Sequence, residues 1–164
     1  MPKYRLQALL EIRERAEEEA KEELARAKQR VKQELDLLKE FEDELENMIQ
    51  DRKRRREEYA QKLASGEMKI TDQSAAYRFI DRLKEREAEQ RGKIDAQREA
   101  VYEAEKAAQR AQDEYIAASQ DLKALLKHKE NWETKLRKER QIKEENNLDE
   151  IAQTMYQQRL RRGY

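Results

Sequence analysis

The chain has 164 residues, 37 of them basic and 37 acidic, with no cysteine, one histidine and only 6% aromatic side chains. So little apolar mass excludes a compact globule, and the balanced charge excludes a polyelectrolyte that would bind nucleic acid or anionic lipid along its whole length. Without cysteine there are no disulfides and no thiolate metal sites, which fits a reducing compartment.

Met1-Pro2-Lys3-Tyr4 opens no signal-peptide core, and no apolar run approaches the ~20 residues of a membrane span. The expectation is a soluble, cytoplasmic protein with no direct membrane insertion. Pro2 is the only proline, so nothing interrupts a helix predicted over about residues 3–64. Apolar residues step through it at 3-4 spacing: Leu24, Ala27, Val31, Leu38, Phe41, Leu45, Met48 and Tyr59, with polar steps at Glu34, Arg52 and Arg55.

A bend follows at about 65–71. Gly66 takes the left-handed conformation that ends a helix, and Thr71-Asp72 offers a cap for the next. The second helix, about 72–160, carries its own ladder: Ala76, Ile80, Leu83, Ile94, Val101, Ala104, Ala108, Ala111, Tyr115, Ala118, Leu122, Leu125, Trp132 and Leu136. Polar residues interrupt it at Glu87, Gln90, Gln97 and Lys129. The two ladders run in mirror register about the bend, Leu24 with Ala111 and Tyr59 with Ala76. That pattern predicts an all-α, antiparallel two-helix coiled-coil hairpin. Two strict 3-4 series also match after a slip of one heptad, and the position of Gly66 selects between the phases. A disordered chain of this composition would have no reason to keep such a seam.

At 1.5 Å per residue the helices measure about 90 Å and about 130 Å, so the arms are unequal. Residues 1–164 are expected to form one elongated domain, with everything from about Glu133 projecting as a single helix for about 40 to 45 Å. A lone charged helix is marginal in water and is best explained by a partner that receives it.

Chemistry-bearing motifs are few. Gly66, Gly92 and Gly163 are the only glycines, so no phosphate-binding loop exists. His128 lies between lysines with no second histidine or cysteine to complete a metal site. Carboxylate pairs such as Glu18 with Glu22 sit on solvated faces, and two helices build no desolvating cleft. The chain is read as a non-enzyme with no cofactor. The basic run Arg52 to Arg56 can be structural, a partner patch or a nucleic-acid contact. Because Arg52 and Arg55 occupy ladder positions, the structural reading leads, and Arg52 is expected to form a cross-helix ion pair with Glu87 that sets register. Polar layers gather toward the bend and alanine layers toward the termini, which predicts a looser bend end. Tyr59, Tyr77 and Phe79 near the bend are candidates either for capping the seam or for docking a partner.

The segment Lys3-Tyr4-Arg5-Leu6-Gln7-Ala8-Leu9-Leu10-Glu11-Ile12-Arg13-Glu14-Arg15, followed by Glu17-Glu18-Glu19-Ala20-Lys21, closely resembles the start of the type III secretion stalk family of the FliJ and YscO type. Lys143 through Ala152 is similar to that family's terminal segment, and His128-Lys129-Glu130-Asn131-Trp132 resembles its virulence branch in particular. The resemblance implies a central stalk whose terminal end enters a hexameric secretion ATPase and whose bend end approaches the cytoplasmic domain of the export gate protein, with export chaperones as further candidate partners. It places Arg5, Arg13, Arg15, Arg159, Arg161 and Arg162 as candidate ATPase contacts, and Phe41, Tyr59, Tyr77 and Phe79 as candidate gate contacts. It would put the protein in the cytoplasm at the base of a membrane-embedded secretion apparatus. The alternatives are a generic scaffold or tether and a stator stalk of a rotary ATPase. A stator predicts an 11-residue repeat on two chains, whereas this chain has 3-4 steps and its own bend.

Overall fold

Strong helix formers (Glu, Lys, Arg, Ala, Leu and Gln) fill both arms of the chain, and neither arm contains an internal proline. In the computed structural model, which describes residues 2–163, they form α1 over Gln7–Ala64 and α2 over Ile70–Arg162, with no strand among the described residues. The two helices pack against each other, and the fold is all-α.

Packing divides the chain into two units, one of residues through Glu19 with those from Tyr115, the other Ala20–Glu114. In the second, here the bend unit, the helices lie antiparallel: Glu34 meets Gln97, Phe41 meets Gln90, and Arg52 meets Glu87. Its seam follows the 3-4 ladders. Leu24, Ala27, Val31, Leu38, Phe41, Leu45 and Met48 are half-buried on α1, while Ile80, Ile94, Val101, Ala104 and Ala111 are buried on α2. In the first, the terminal unit, the helices are also antiparallel, with Gln7 against Lys129 and Arg13 against Asp121. Leu10 and Leu125 form its buried apolar centre.

The bend is a helix stop built on backbone hydrogen bonds. Gly66 adopts φ 77°, its N–H donates to the Leu63 carbonyl at 3.3 Å, and the Glu67 N–H donates to the Lys62 carbonyl at 3.1 Å. This pairing of donors around a left-handed residue is the Schellman arrangement that satisfies the last carbonyls of a helix. A Cβ on Gly66 would meet no atom within 4 Å, so any cost of substitution comes from the dihedral itself. We expect Gly66→Ala to lower stability by about 1 kcal/mol and Gly66→Asn by less, read as circular-dichroism melting midpoints. Equal midpoints for all three proteins would remove the backbone explanation.

Helix boundaries differ from the sequence expectation at three places. α1 starts at Gln7, not near residue 3, because Lys3 and Arg5 would place positive charge on the positive end of the helix dipole; the Tyr4 carbonyl closes a turn onto Gln7 N–H at 3.1 Å instead. α2 starts at Ile70, not 72: the Lys69 carbonyl accepts from the N–H groups of Asp72 and Gln73, which places Thr71 and Asp72 inside the first turn and not at the cap. Asp72 there carries negative charge at the helix N-terminus, where it is favoured. α2 ends at Arg162 with Arg159, Arg161 and Arg162 in its last turn, the complementary placement at the other pole.

Candidate functional site

Each unit carries a surface groove with aromatic walls. In the terminal unit, Tyr4, ahead of α1, packs onto α2. Tyr4 is buried, its ring 5.0 Å from that of Trp132, and its hydroxyl shares a hydrogen bond with His128 Nδ1. Lys129 Nζ donates to Gln7 Oε1 at 3.0 Å and lies 5.9 Å from the Tyr4 ring, so the polar ladder step at Lys129 clasps the chain end. A groove of about 620 Å³ opens beside this cluster, with Tyr4, Trp132 and Leu136 among its walls and Lys3, Arg137 and Arg140 around it.

Arg5 and Arg15 are exposed, and Arg13 is half-buried, donating from Nη1 to the Asp121 carbonyl at 3.0 Å. Arg159, Arg161 and Arg162 are exposed on the last turn of α2. Leu136 is the last side chain of α2 that is even partly buried, and every described residue from Arg137 to Gly163 is exposed. The paired stretch therefore reaches one helical turn beyond Trp132, because Tyr4 extends the contact past the start of α1.

In the bend unit the polar ladder positions are fully engaged. Arg52 Nε donates to both carboxylate oxygens of Glu87, at 2.7 and 3.1 Å, and Glu87 is only 2% exposed. Gln90 Nε2 donates to the Phe41 carbonyl and to Glu44, both at 3.0 Å, and Gln97 Nε2 donates to the Glu34 carbonyl at 2.9 Å and to the Glu34 carboxylate. No buried side-chain polar atom among the described residues lacks a partner. These layers thus act as keys between the helices.

The hydrogen bond from Gln97, helped by Arg30 and opposed by burial, holds the Glu34 carboxyl below its ordinary value of 4.5. Because the folded-state value is the depressed one, this stabilisation is full above pH 4.5 and is lost as the pH falls through the lower folded value. A Glu34→Gln variant should accordingly show a shallower loss of melting midpoint than the parent as the pH is lowered below 4.5. Parallel curves would count against the contribution.

Of the aromatic candidates, Tyr59 and Tyr77 border one groove with Leu63 and Ile80, Tyr77 being 59% exposed. Phe41 and Phe79 do not line it. Phe41 is half-buried in the seam, and Phe79 lies beneath Arg55 at 5.0 Å and Arg82 at 5.8 Å. Within the basic run, Arg54 and Arg55 share Asp51 and Arg52 pairs with Glu87, so three of its five side chains are engaged inside the unit by two carboxylates. No cluster of metal-binding side chains occurs among the described residues, and none of their helices is long and apolar enough to cross a membrane.

Periodicity did not reveal the Tyr4–His128–Trp132 cluster, because Tyr4 precedes the helix. The signals available were an aromatic residue just ahead of the first ladder and a lone tryptophan at the far end of the second.

No curated protein matches the chain. Among solved structures, CT670 from Chlamydia trachomatis, described as a YscO homolog, superposes with a TM-score of 0.82 at 22% identity over 99% of each chain, a likeness of fold. The description "YscO-like protein" matches residues 1–162. With that match over nearly its whole length, the chain belongs to the YscO-like family, a structural rather than catalytic family associated with type III secretion.

Proposed function

We propose that the protein is the central stalk of a type III secretion ATPase, its terminal end entering the hexameric ring and its bend-proximal surface meeting the cytoplasmic domain of the export gate protein. The observation that carries this reading is the exposed end of α2: a helix that leaves its own seam after Leu136 and finishes in Arg159, Arg161 and Arg162. A bare helix of this length is marginal in water, and a ring pore would supply the surroundings it lacks. Arg5 and Arg15, exposed on the N-terminal side of the same unit, add to the basic face available to the ATPase. For the gate, Tyr77 with the Tyr59 groove is the apolar surface best placed to dock, whereas Phe41 and Phe79 serve the unit's own packing.

Such a stalk performs no chemistry. One rod in a sixfold ring cannot touch every subunit alike, so it biases ring assembly or the order of hydrolysis and relays that state to the gate. Added to a secretion ATPase, the full chain should promote hexamer formation and faster ATP hydrolysis, and a chain lacking residues 140–164 should do neither while keeping the helicity of the remainder. Unchanged stimulation by the shortened chain would sink the pore-entry reading, and no stimulation by the full chain would favour a tether.

A further inference from the structure

The end of α2 is not polar all round. Leu148, Ile151, Met155, Tyr156 and Leu160 are each more than half exposed, and with Ala152 they follow one side of the helix. This stripe does not continue the seam that receives α1. Stepping on from Leu136 at 3-4 spacing lands on Glu139, Lys143, Asn146, Glu150, Gln153 and Gln157, all polar. The apolar residues fall on a different phase, Leu148, Ala152 and Met155, which Glu145 extends on one side and Arg159 and Arg162 on the other. A change of phase at the point where the intrachain partner ends means that the second seam is built for another helix.

Charge along this segment is polarised. Glu144, Glu145, Asp149 and Glu150 occupy its first half, and Arg159, Arg161 and Arg162 its last. Laid against a parallel copy, the acidic halves would lie together and so would the basic ones; laid against an antiparallel copy, the acidic half of each would lie along the basic half of the other. The layers also match. With a two-fold axis between Gln153 and Thr154, Ala152 opposes Met155 of the second copy, Leu148 opposes the stem of Arg159, and Glu145 opposes Arg162. We propose that two copies of this chain pair tail to tail, antiparallel, through the Leu148–Arg162 stripe. This pairing would cover the same arginines offered above to the ATPase, so ring entry and self-pairing would exclude each other. The two readings remain separable because self-pairing is measured on the purified chain alone.

Sedimentation equilibrium of the full-length protein should give the 19.8 kDa monomer when dilute and about twice that mass when concentrated. Arg159→Glu/Arg161→Glu/Arg162→Glu and, separately, Glu144→Lys/Glu145→Lys/Asp149→Lys/Glu150→Lys should each remain monomeric. Mixing the two variants should restore the doubled mass. Orientation is read by disulfide trapping, which is clean in a chain without cysteine. Ala152→Cys mixed with Met155→Cys should cross-link at least severalfold faster than either variant alone. A monomer at every concentration, a mass above that of a dimer, or faster cross-linking of each single variant with itself would overturn the proposal.

Discussion

Arg52→Ala should be among the most destabilising single substitutions in the chain, lowering stability by about 3 kcal/mol. The reason is not the worth of the ion pair but the state left behind. Glu87 is 2% exposed, and its two oxygens receive their cross-helix donors from Arg52. Removing the guanidinium strands a buried carboxylate in a seam too narrow to admit much water. Glu87→Leu should cost less, because the Arg52 side chain is 17% exposed and can turn its charge to solvent. Arg52→Leu/Glu87→Leu should recover parental stability or exceed it, since a buried ion pair rarely outperforms a packed apolar layer. Chemical denaturation followed by circular dichroism orders the three variants. If Arg52→Ala and Glu87→Leu cost the same, the stranded-charge explanation fails.

Leu10→Ala is the second large effect, about 2 to 3 kcal/mol, drawn from the lower part of the range for buried leucines because a two-helix seam borders solvent and partly closes over the gap. Leu10 is 2% exposed and is the most deeply buried apolar side chain of α1. Its loss should loosen the terminal unit ahead of the bend unit, since local openings follow local packing. Trp132, the single tryptophan, reports on that unit directly through its contact with Tyr4. Its emission should shift to the red at lower denaturant in Leu10→Ala than in the parent, while Arg52→Ala leaves its transition nearly in place. Coincident shifts in the two variants would mean that the chain unfolds as one cooperative block.

Much of this fold was legible because a coiled coil writes its contacts at fixed intervals. Every apolar step from Leu24 to Tyr59 is at least half-buried, and so is every step from Ala76 to Leu136. Gly66 was readable for a different reason: only a left-handed residue closes a Schellman stop, and the chain has one glycine in that stretch. Three features escaped. The start of α2 at Ile70 depends on which backbone carbonyl collects the first free N–H groups, and the Lys69 carbonyl leaves no trace in side-chain composition. Tyr4 joins α2 from outside the helical repeat, where periodicity is silent. The glutamine layers were visible only as interruptions, because a glutamine at a seam position is equally consistent with a weak point and with a donor aimed at the opposite backbone. At the candidate sites, arginines could be found by region but not by availability: Arg13, placed among the contact residues, donates to the Asp121 carbonyl and helps hold the terminal unit together.

Gln90 and Gln97 are identical graduations seven residues apart on one scale, each reading a carbonyl and a carboxylate on α1. A scale with equal graduations measures displacement but has no origin, since a shift by one interval brings one glutamine onto the other's station. Glu87 supplies the zero. Moved one interval in either direction, Arg52 would face Ile80 or Ile94 and lose its counter-charge. Position along the bend unit is therefore encoded by a single non-repeating mark, and a variant lacking it would keep its spacing while losing its address.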